Sequence, residues 1–401
     1  MGVSLKPVAE QAIVITGADS GIGLATARLA AKRGARLVLC SRNAEELARI
    51  GAELRSHGAE VEWYAGDVAD GNDMLRVAEV AIRAFGRIDT WINNAGVSIY
   101  GLIEDVPVED AQRMFDTNYW GVVNGSLAAL PYLKANGGAL INVGSIVSDT
   151  VVPLQGHYSA SKHAVKGFTD ALRIELEHEN APISVTLVKP GAIDTPFPEH
   201  AANYMDAEAR HPQPVYTPEV VARAILHCAA HPRRSVTVGG GGRMMAMMGL
   251  ATPGLSDRVN QSMFSQQKRR TPGRLPQDEG LWEPPVRTGR TRGDQPGHIM
   301  KTSAYTAASL HPGRTALALA AAGLGYAIAT GGGGSLLRRG RGLLDRIRGT
   351  GNASGTDTDV EVEVREVSAF VTVEELDVTG EYVRDSGEFV VDVTVGDRYV
   401  P

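Results

Sequence analysis

The chain has 401 residues, 43% of them hydrophobic and 21% charged, and a formal net charge of -6. That length exceeds one ordinary domain, and the acidic balance excludes any electrostatic case for a nucleic-acid partner. Two cysteines, Cys40 and Cys228, cannot form a disulfide framework; they read as buried thiols in a reducing, cytoplasmic setting.

The chain opens "MGVSLKPVAEQ". No apolar h-region precedes the first strand, so no signal peptide is expected, and Lys6 stands where a myristoylation site needs Ser or Thr. "AIVITG" (Ala12–Gly17) is apolar, β-branched and ends in glycine, which predicts a buried strand. "IGLATARLAAKRGA" has helical periodicity and stops at Gly34. The pattern then repeats: "RLVLCSR", "VEWYAGDV" and "DTWINNAG" read as strands, with "AEELARIGAELRSHG" and "DMLRVAEVAIRAFG" as the helices between them. "ALINVGS" (Ala139–Ser145), a helix carrying Tyr158, "ISVTLVKPG" (Ile183–Gly191), "PEVVARAILHCAA" and "SVTVGG" (Ser235–Gly240) continue it. Strands alternating with helices predict an α/β fold, a Rossmann-like doubly wound parallel sheet, here with a C-terminal extension. Trp91 falls in a central strand and reads as core.

Four segments are expected: a Rossmann-fold domain over 1–250, a helical and loop extension over 251–312, an Ala/Gly-rich segment with a basic end over 313–350, and an acidic, strand-rich tail over 351–401. Thr271–Pro312 is rich in Pro, Gly and Arg without periodicity, so it reads as loop or linker. The last 51 residues carry 13 acidic and three basic side chains, which suits an interaction or solubilising appendage.

"TGADSGIG" (Thr16–Gly23) lies between a strand and a helix. Glycines there let the backbone approach a pyrophosphate, and the helix N-terminus offers amides and the positive end of its dipole. Gly17, Ser20, Gly21, Ile22 and Gly23 are therefore candidate cofactor residues. NAD sites commonly place an acid at the end of the next strand for the ribose 2′-hydroxyl. This strand ends "LCSRN", with Arg42, and a guanidinium suits a 2′-phosphate. NADP(H) is favoured, with NAD(H) as the alternative. In "HYSASKHAV" (His157–Val165), Tyr158 and Lys162 are four residues apart and share a helix face. A neighbouring cation lowers a phenol's pKa, so the pair can form a proton donor usable near neutrality. No His/Cys cluster has metal-ligand spacing, and no metal is expected.

These motifs resemble those of the short-chain dehydrogenase/reductase family, in that family's order, from Ala12 to Gly240. After the glycine loop come Asp67–Val68 in "GDV", "NNAG" at Asn93–Gly96, Asn118 in "TNYWG", Ser145 in "NVGS", "YSASK", and "KPG" at Lys189–Gly191 with Thr195 beyond. The resemblance implies an oxidoreductase interconverting an alcohol and a carbonyl. Tyr158 would donate or accept the proton, and Ser145 would hydrogen-bond the reacting oxygen. Lys162 would lower the Tyr158 pKa and bind the nicotinamide ribose. Asn118 would hold a water in a proton relay. Asp67 and Val68 would meet the adenine. Asn94, Ala95, Gly96, Pro190, Gly191, Ile193 and Thr195 would line the cofactor cleft. One departure is Ser20, which stands where many NADP-preferring relatives carry a second basic residue. The family also implies a homodimer or homotetramer built through the helices bearing Asn118 and Tyr158.

Asp194–Pro218 is long, holds five prolines and is expected to close over a small-molecule substrate, with Tyr204 and Met205 lining it. His157 and His163 flank the motif and are given no role. Thr315–Leu337 is uncharged between Arg314 and Arg338. It is long enough to span a bilayer as a helix, but its Ala/Gly content and flanking charges fit a helix packed on the protein or lying on a membrane surface. Two rival functions are a dinucleotide-binding sensor or scaffold without turnover, which the intact Ser145–Tyr158–Lys162 set argues against, and a different reaction on the same fold using bound cofactor.

Overall fold

The computed structural model describes residues 3–262, 268–272, 279–286 and 288–329. The chain divides into two units, Met1–Leu310 and His311–Pro401.

In the first unit each expected strand forms. They are β1 (Ala12–Thr16), β2 (Arg36–Ser41), β3 (Val61–Ala65), β4 (Thr90–Asn93), β5 (Gly138–Val143), β6 (Ile183–Pro190) and β7 (Ser235–Val238). They make one sheet in the order β3-β2-β1-β4-β5-β6-β7, every neighbouring pair parallel. The order reverses between β1 and β4, and ligands of such sheets bind at the carboxyl ends of the strands there.

Strand alternation explains the apolar runs. Ile13 and Ile15 face one side of the sheet, with Leu24 and Ala27 of α1 (Gly21–Lys32), Leu47 and Ile50 of α2 (Ala44–Ser56) and Val221 and Ile225 of α7 (Pro218–Ala230). Val14, Trp91 and Leu140 face the other, with Met74 and Val77 of α3 (Gly71–Phe85), Ala128 and Leu133 of α5 (Gly121–Asn136) and Leu172 of α6 (Gly156–His178). Local signals fix the helix ends. The Asn43 side chain caps α2 by accepting from the Glu46 amide at 3.0 Å. Gly86 ends α3 with φ 70° and donates to the Ile82 carbonyl. Trp91 is fully buried, and its indole donates to Asn93 Oδ1 at 2.8 Å.

The helix α4 (Val108–Phe115) passes into α5 through a π turn, Asp116–Trp120, which carries Asn118. Such turns insert an extra residue and redirect side chains, often at functional sites.

Beyond β7 come α8 (Gly240–Ala251) and α9 (Pro253–Ser262). Lys268–Pro272 pairs antiparallel with Ala207–Ala209. Residues expected to be loop or linker are docked, and some of them are regular: Ile299–Met300 is a short strand and Ala304–Leu310 a helix. Ile299–Met300 pairs parallel with Val215–Tyr216, which pairs with Ala192–Ile193. Leu310, at the end of α10 (Ala304–Leu310), joins the main core, and Thr306 Oγ1 accepts from the Gly239 amide at 3.0 Å. The sequence shows little periodicity here because much of the stretch is held by bonds to the domain, such as Arg223 Nη2 donating to the Lys301 carbonyl at 3.0 Å and Gln213 Nε2 to the Pro296 carbonyl at 3.3 Å.

The second unit contains α11 (Pro312–Ala329). Among the described residues no helix is long and apolar enough to cross a membrane. The rest of the Ala/Gly-rich stretch, the basic cluster after it and the alternating tail lie outside the described residues.

Candidate active site

A cleft of about 250 Å³ opens at the carboxyl ends of β1, β4 and β5. Of the catalytic and cofactor residues expected from the sequence, all but Gly23 and Asn118 line it. Both stand behind its wall.

The glycine loop is built by close approach. Gly17 has φ 62°, and a Cβ there would lie 2.8 Å from the Ala95 Cα. A Cβ on Gly23 would lie 2.0 Å from the Gly17 carbonyl oxygen. The loop is bolted to the end of β4: Asn94 Nδ2 donates to the carbonyls of Thr16 and Gly17, and Thr16 Oγ1 accepts from the Asn94 and Ala95 amides. Ser20 precedes the first turn of α1 and makes no side-chain cap. The result is a cradle of main chain at a helix N-terminus that side chains would fill, and it fits a pyrophosphate.

At one end of the cleft lie Arg42, Asp67 and Val68. Arg113, which no motif signalled, pairs with Asp67 at 2.5 Å. Asp19, also missed, sits in the wall beside Ser41 and Arg42; burial raises its pKa above the usual carboxylate range, against the hydrogen bonds it accepts. Arg42 does not point freely at the cleft. Its Nη1 donates to the carbonyls of Leu281 (3.2 Å) and Trp282 (3.0 Å), and its Nη2 to those of Glu283 (3.2 Å) and Gly280.

At the other end lie Ser145, Tyr158 and Lys162. Ser145 follows β5, is buried, and accepts from the Val147 amide at 3.3 Å. Tyr158 and Lys162 share one face of α6, as their spacing predicts. The Tyr158 ring packs 5.7 Å from that of Phe197. The Lys162 Nζ lies 5.7 Å from the Tyr158 ring centre and donates to the Val143 carbonyl at 3.1 Å.

Their electrostatics differ from the simple expectation. Among the protein's own groups, burial dominates and pushes the Tyr158 pKa up, and a hydrogen bond with Ser145 opposes this in part. Burial also brings Lys162 down to about 8. The same dry surroundings disfavour both charged forms, the phenolate and the ammonium.

Asn118 is fully buried. Its Oδ1 accepts from the Val97 amide (2.8 Å), and its Nδ2 donates to the Val97 carbonyl (2.9 Å) and Ser161 Oγ (3.1 Å). The side chain thus pins the wall at Val97 to α6, where the sequence led us to expect a water ligand. Tyr204 and Met205 are not among the lining residues. The Tyr204 hydroxyl donates to Asp110, and Met205 is buried with Tyr100, Leu154 and Ala209. The same segment lines the cleft through Pro196, Phe197, His200, His211 and Pro212 instead. Ser98 and Gln155 add polar groups, Gln155 Nε2 donating to Ser98 Oγ at 3.0 Å. No group of metal-ligating side chains occurs among the described residues.

The sequence profile of the short chain dehydrogenase family matches residues 11–204. The "Uncharacterized oxidoreductase YxnA" of Bacillus subtilis is 44% identical over 322 residues, which cover 79% of this chain and 90% of that protein. The chain belongs to the short-chain dehydrogenase/reductase family. As a member it is an oxidoreductase with a nicotinamide-dinucleotide site. Two solved structures share the fold. An alcohol dehydrogenase from Thermococcus sibiricus, complexed with 5-hydroxy-NADP, is 27% identical, with TM-score 0.50, over 57% of this chain and 95% of that one. A short-chain dehydrogenase/reductase from Burkholderia phymatum, in complex with NAD, is 26% identical, with TM-score 0.55, over 66% and 97%. The similarity to YxnA covers too much of the chain to stop at the family profile; it reaches past residue 250 into the extension.

Proposed function

We propose that the protein is an NADP(H)-dependent oxidoreductase that interconverts a small alcohol and its carbonyl, with Tyr158 as proton donor and acceptor. The observation that carries this reading is the convergence of Ser145, Tyr158 and Lys162 at one end of a cleft whose other end is a glycine cradle. Bound nicotinamide would supply or take up the hydride, and the protein supplies position and field.

In reduction the Tyr158 hydroxyl gives its proton to the carbonyl oxygen. Ser145 donates a hydrogen bond to that oxygen and stabilises charge developing there. Lys162 binds the nicotinamide ribose hydroxyls and steadies the phenolate that remains. Asn118 acts through the wall it holds, fixing Val97 and, through Ser161, the turn of α6 between Tyr158 and Lys162.

Arg42 favours the 2′-phosphate of NADP, since its charge lines the cleft at the adenosine end. The preference is modest because the guanidinium already serves four carbonyls. NAD(H) is the second cofactor. Two buried free cysteines suit a cytoplasmic location. Trp120, Leu127 and Ile174, all more than half exposed on α5, α6 and the π turn, suit a homodimer or homotetramer.

The test is oxidation of NADPH and NADH against a broad carbonyl panel, wild type beside Tyr158→Phe. Loss of general acid catalysis costs about 10²–10⁴ in rate. Equal turnover by the phenylalanine variant overturns the assignment of Tyr158.

A further inference from the structure

The extension crosses the open side of the cleft. Residues 279–286 and 288–300 touch, in turn, each part of the cleft. At the adenosine end, the carbonyls of Gly280, Leu281, Trp282 and Glu283 surround the Arg42 guanidinium. Arg113 donates to the Leu281 carbonyl at 3.2 Å while it pairs with Asp67. Leu281 is fully buried, and the Trp282 indole donates to Asp110 at 2.8 Å.

At the glycine loop the Gly289 amide donates to the Asp19 carbonyl at 2.8 Å. The Arg290 carbonyl accepts from the Gly21 amide at 2.9 Å, and so takes one first-turn donor of α1. Towards the substrate end, the Asp294 amide donates to Glu199 at 2.9 Å, and Arg290 pairs with Glu199 at 2.7 Å. Gln295 Oε1 accepts from the His211 amide at 3.1 Å. Gly280, Pro284 and Pro285 themselves line the cleft.

We propose that this strap is the outer wall of the dinucleotide site, latched by Arg42, and that the cofactor's 2′ substituent sets how firmly it closes. The inference rests on the cleft being the dinucleotide site. The chemistry is a competition for N–H groups. A guanidinium has five donors, and the strap carbonyls engage both terminal nitrogens of Arg42. A ribose 2′-hydroxyl is itself a donor and can add to a ring of carbonyl oxygens without disturbing it. A 2′-phosphate is an acceptor only. It meets those oxygens as a like charge and must take N–H groups from them to be bound. NAD(H) is then held behind a latched strap. NADP(H) gains Arg42 but loosens the strap that would retain it.

The experiment has two readouts on the full chain. One is hydrogen exchange of the strap amides at Gly280, Gly289 and Asp294, which donate to His200, Asp19 and Glu199, with saturating NADH or NADPH. The other is the release rate of each cofactor by stopped-flow displacement, wild type beside Trp282→Ala. Trp282 is half exposed, does not line the cleft, and ties the strap to Asp110. The variant loses the indole's hydrogen bond to the Asp110 carboxylate. Its loss is expected to speed NADH release about tenfold or more, and NADPH release less than about threefold. NADH is expected to slow strap exchange more than NADPH does.

Equal protection by both cofactors, or release rates that ignore Trp282→Ala, overturns the strap proposal and leaves the oxidoreductase reading intact. Failure of both cofactors to bind overturns the cofactor reading, and the strap proposal with it.

Discussion

The glycine cradle can be tested without knowing the substrate. In Gly23→Ala the new methyl carbon would sit 2.0 Å from the Gly17 carbonyl oxygen and 2.6 Å from Asn94 Nδ2. Ordinary contact begins at 3.4 Å, so loop and helix must part by about 1.4 Å. Overpacking of this kind costs about 1–3 kcal/mol. The parting also strains the two hydrogen bonds from Asn94 Nδ2 to the Thr16 and Gly17 carbonyls, each worth about 1 kcal/mol. A combined loss near 3 kcal/mol corresponds to roughly a hundredfold in affinity where the strain falls on the bound state. The control is Gly167→Ala on α6, where an added Cβ meets nothing within 4 Å. That change is expected to be neutral or to stabilise by up to about 1 kcal/mol. The assay pairs dinucleotide titration by tryptophan fluorescence with thermal melting, so that strain expressed as lost stability is also counted. If Gly23→Ala binds NADPH and melts like the Gly167→Ala control, close approach of loop and helix is not what holds the cofactor.

Arg42→Asp is expected to move the NADPH-to-NADH preference ratio at least tenfold toward NADH, read from kcat/KM for each cofactor; an unchanged ratio sinks the role given to the guanidinium. Trp91→Ala removes a fully buried ring and its bond to Asn93; it is expected to cost about 3–5 kcal/mol in denaturant unfolding, and a loss below about 1 kcal/mol contradicts its place in the core. The compact unit ends at Leu310, so deleting Gly351–Pro401 is expected to leave NADPH turnover unchanged; a folded truncation that no longer binds cofactor shows otherwise. Because burial raises the Tyr158 pKa, the phenolate needed for alcohol oxidation is scarce at neutral pH and grows up to about tenfold per pH unit below that pKa. The oxidative kcat/KM is expected to climb from pH 6 to 9 while reduction does not; a flat oxidative profile removes Tyr158 as the base.

The sheet was legible because its signal is local. Runs such as "AIVIT" and "ALINV" can bury both faces only in a parallel sheet covered by helices, and the helices between them show their own period. Part of the cleft wall was legible for a related reason: Gly17 and Gly23 are places where main chain comes close, and glycine marks such places in sequence. Arg113 and Phe197 were not legible. Each reaches the site through tertiary packing, and nothing in "DAQRMF" or "DTPFPE" distinguishes a lining residue from a surface one. Asn118 was legible as a position but not as a contact, since its bond to Val97 depends on the π turn that aims it. The strap was the least legible part. Its partners are carbonyls, amides and scattered side chains, which leave no periodic trace, and its Pro, Gly and Arg content looks the same in a linker.

The pKa directions at Tyr158 and Lys162 give the enclosure a chemical meaning. A phenol raised by burial keeps its proton at neutral pH, and an amine lowered to about 8 is close to losing its own. Burial thus moves the two groups apart in proton affinity, the phenol up and the amine down, and favours the neutral form of each. A charge that forms on either group is then felt strongly by the other, but only while water stays out. The strap and the Asp194–Pro218 segment both border the cleft, which Pro284 and Pro285 line from the one and Phe197 and Pro212 from the other. Opening either side restores solvent around Lys162 and returns both groups toward their ordinary values. On the proposed function the bordering segments would therefore act on the proton chemistry as well as on retention of the cofactor, although none of their side chains need touch the reacting atoms.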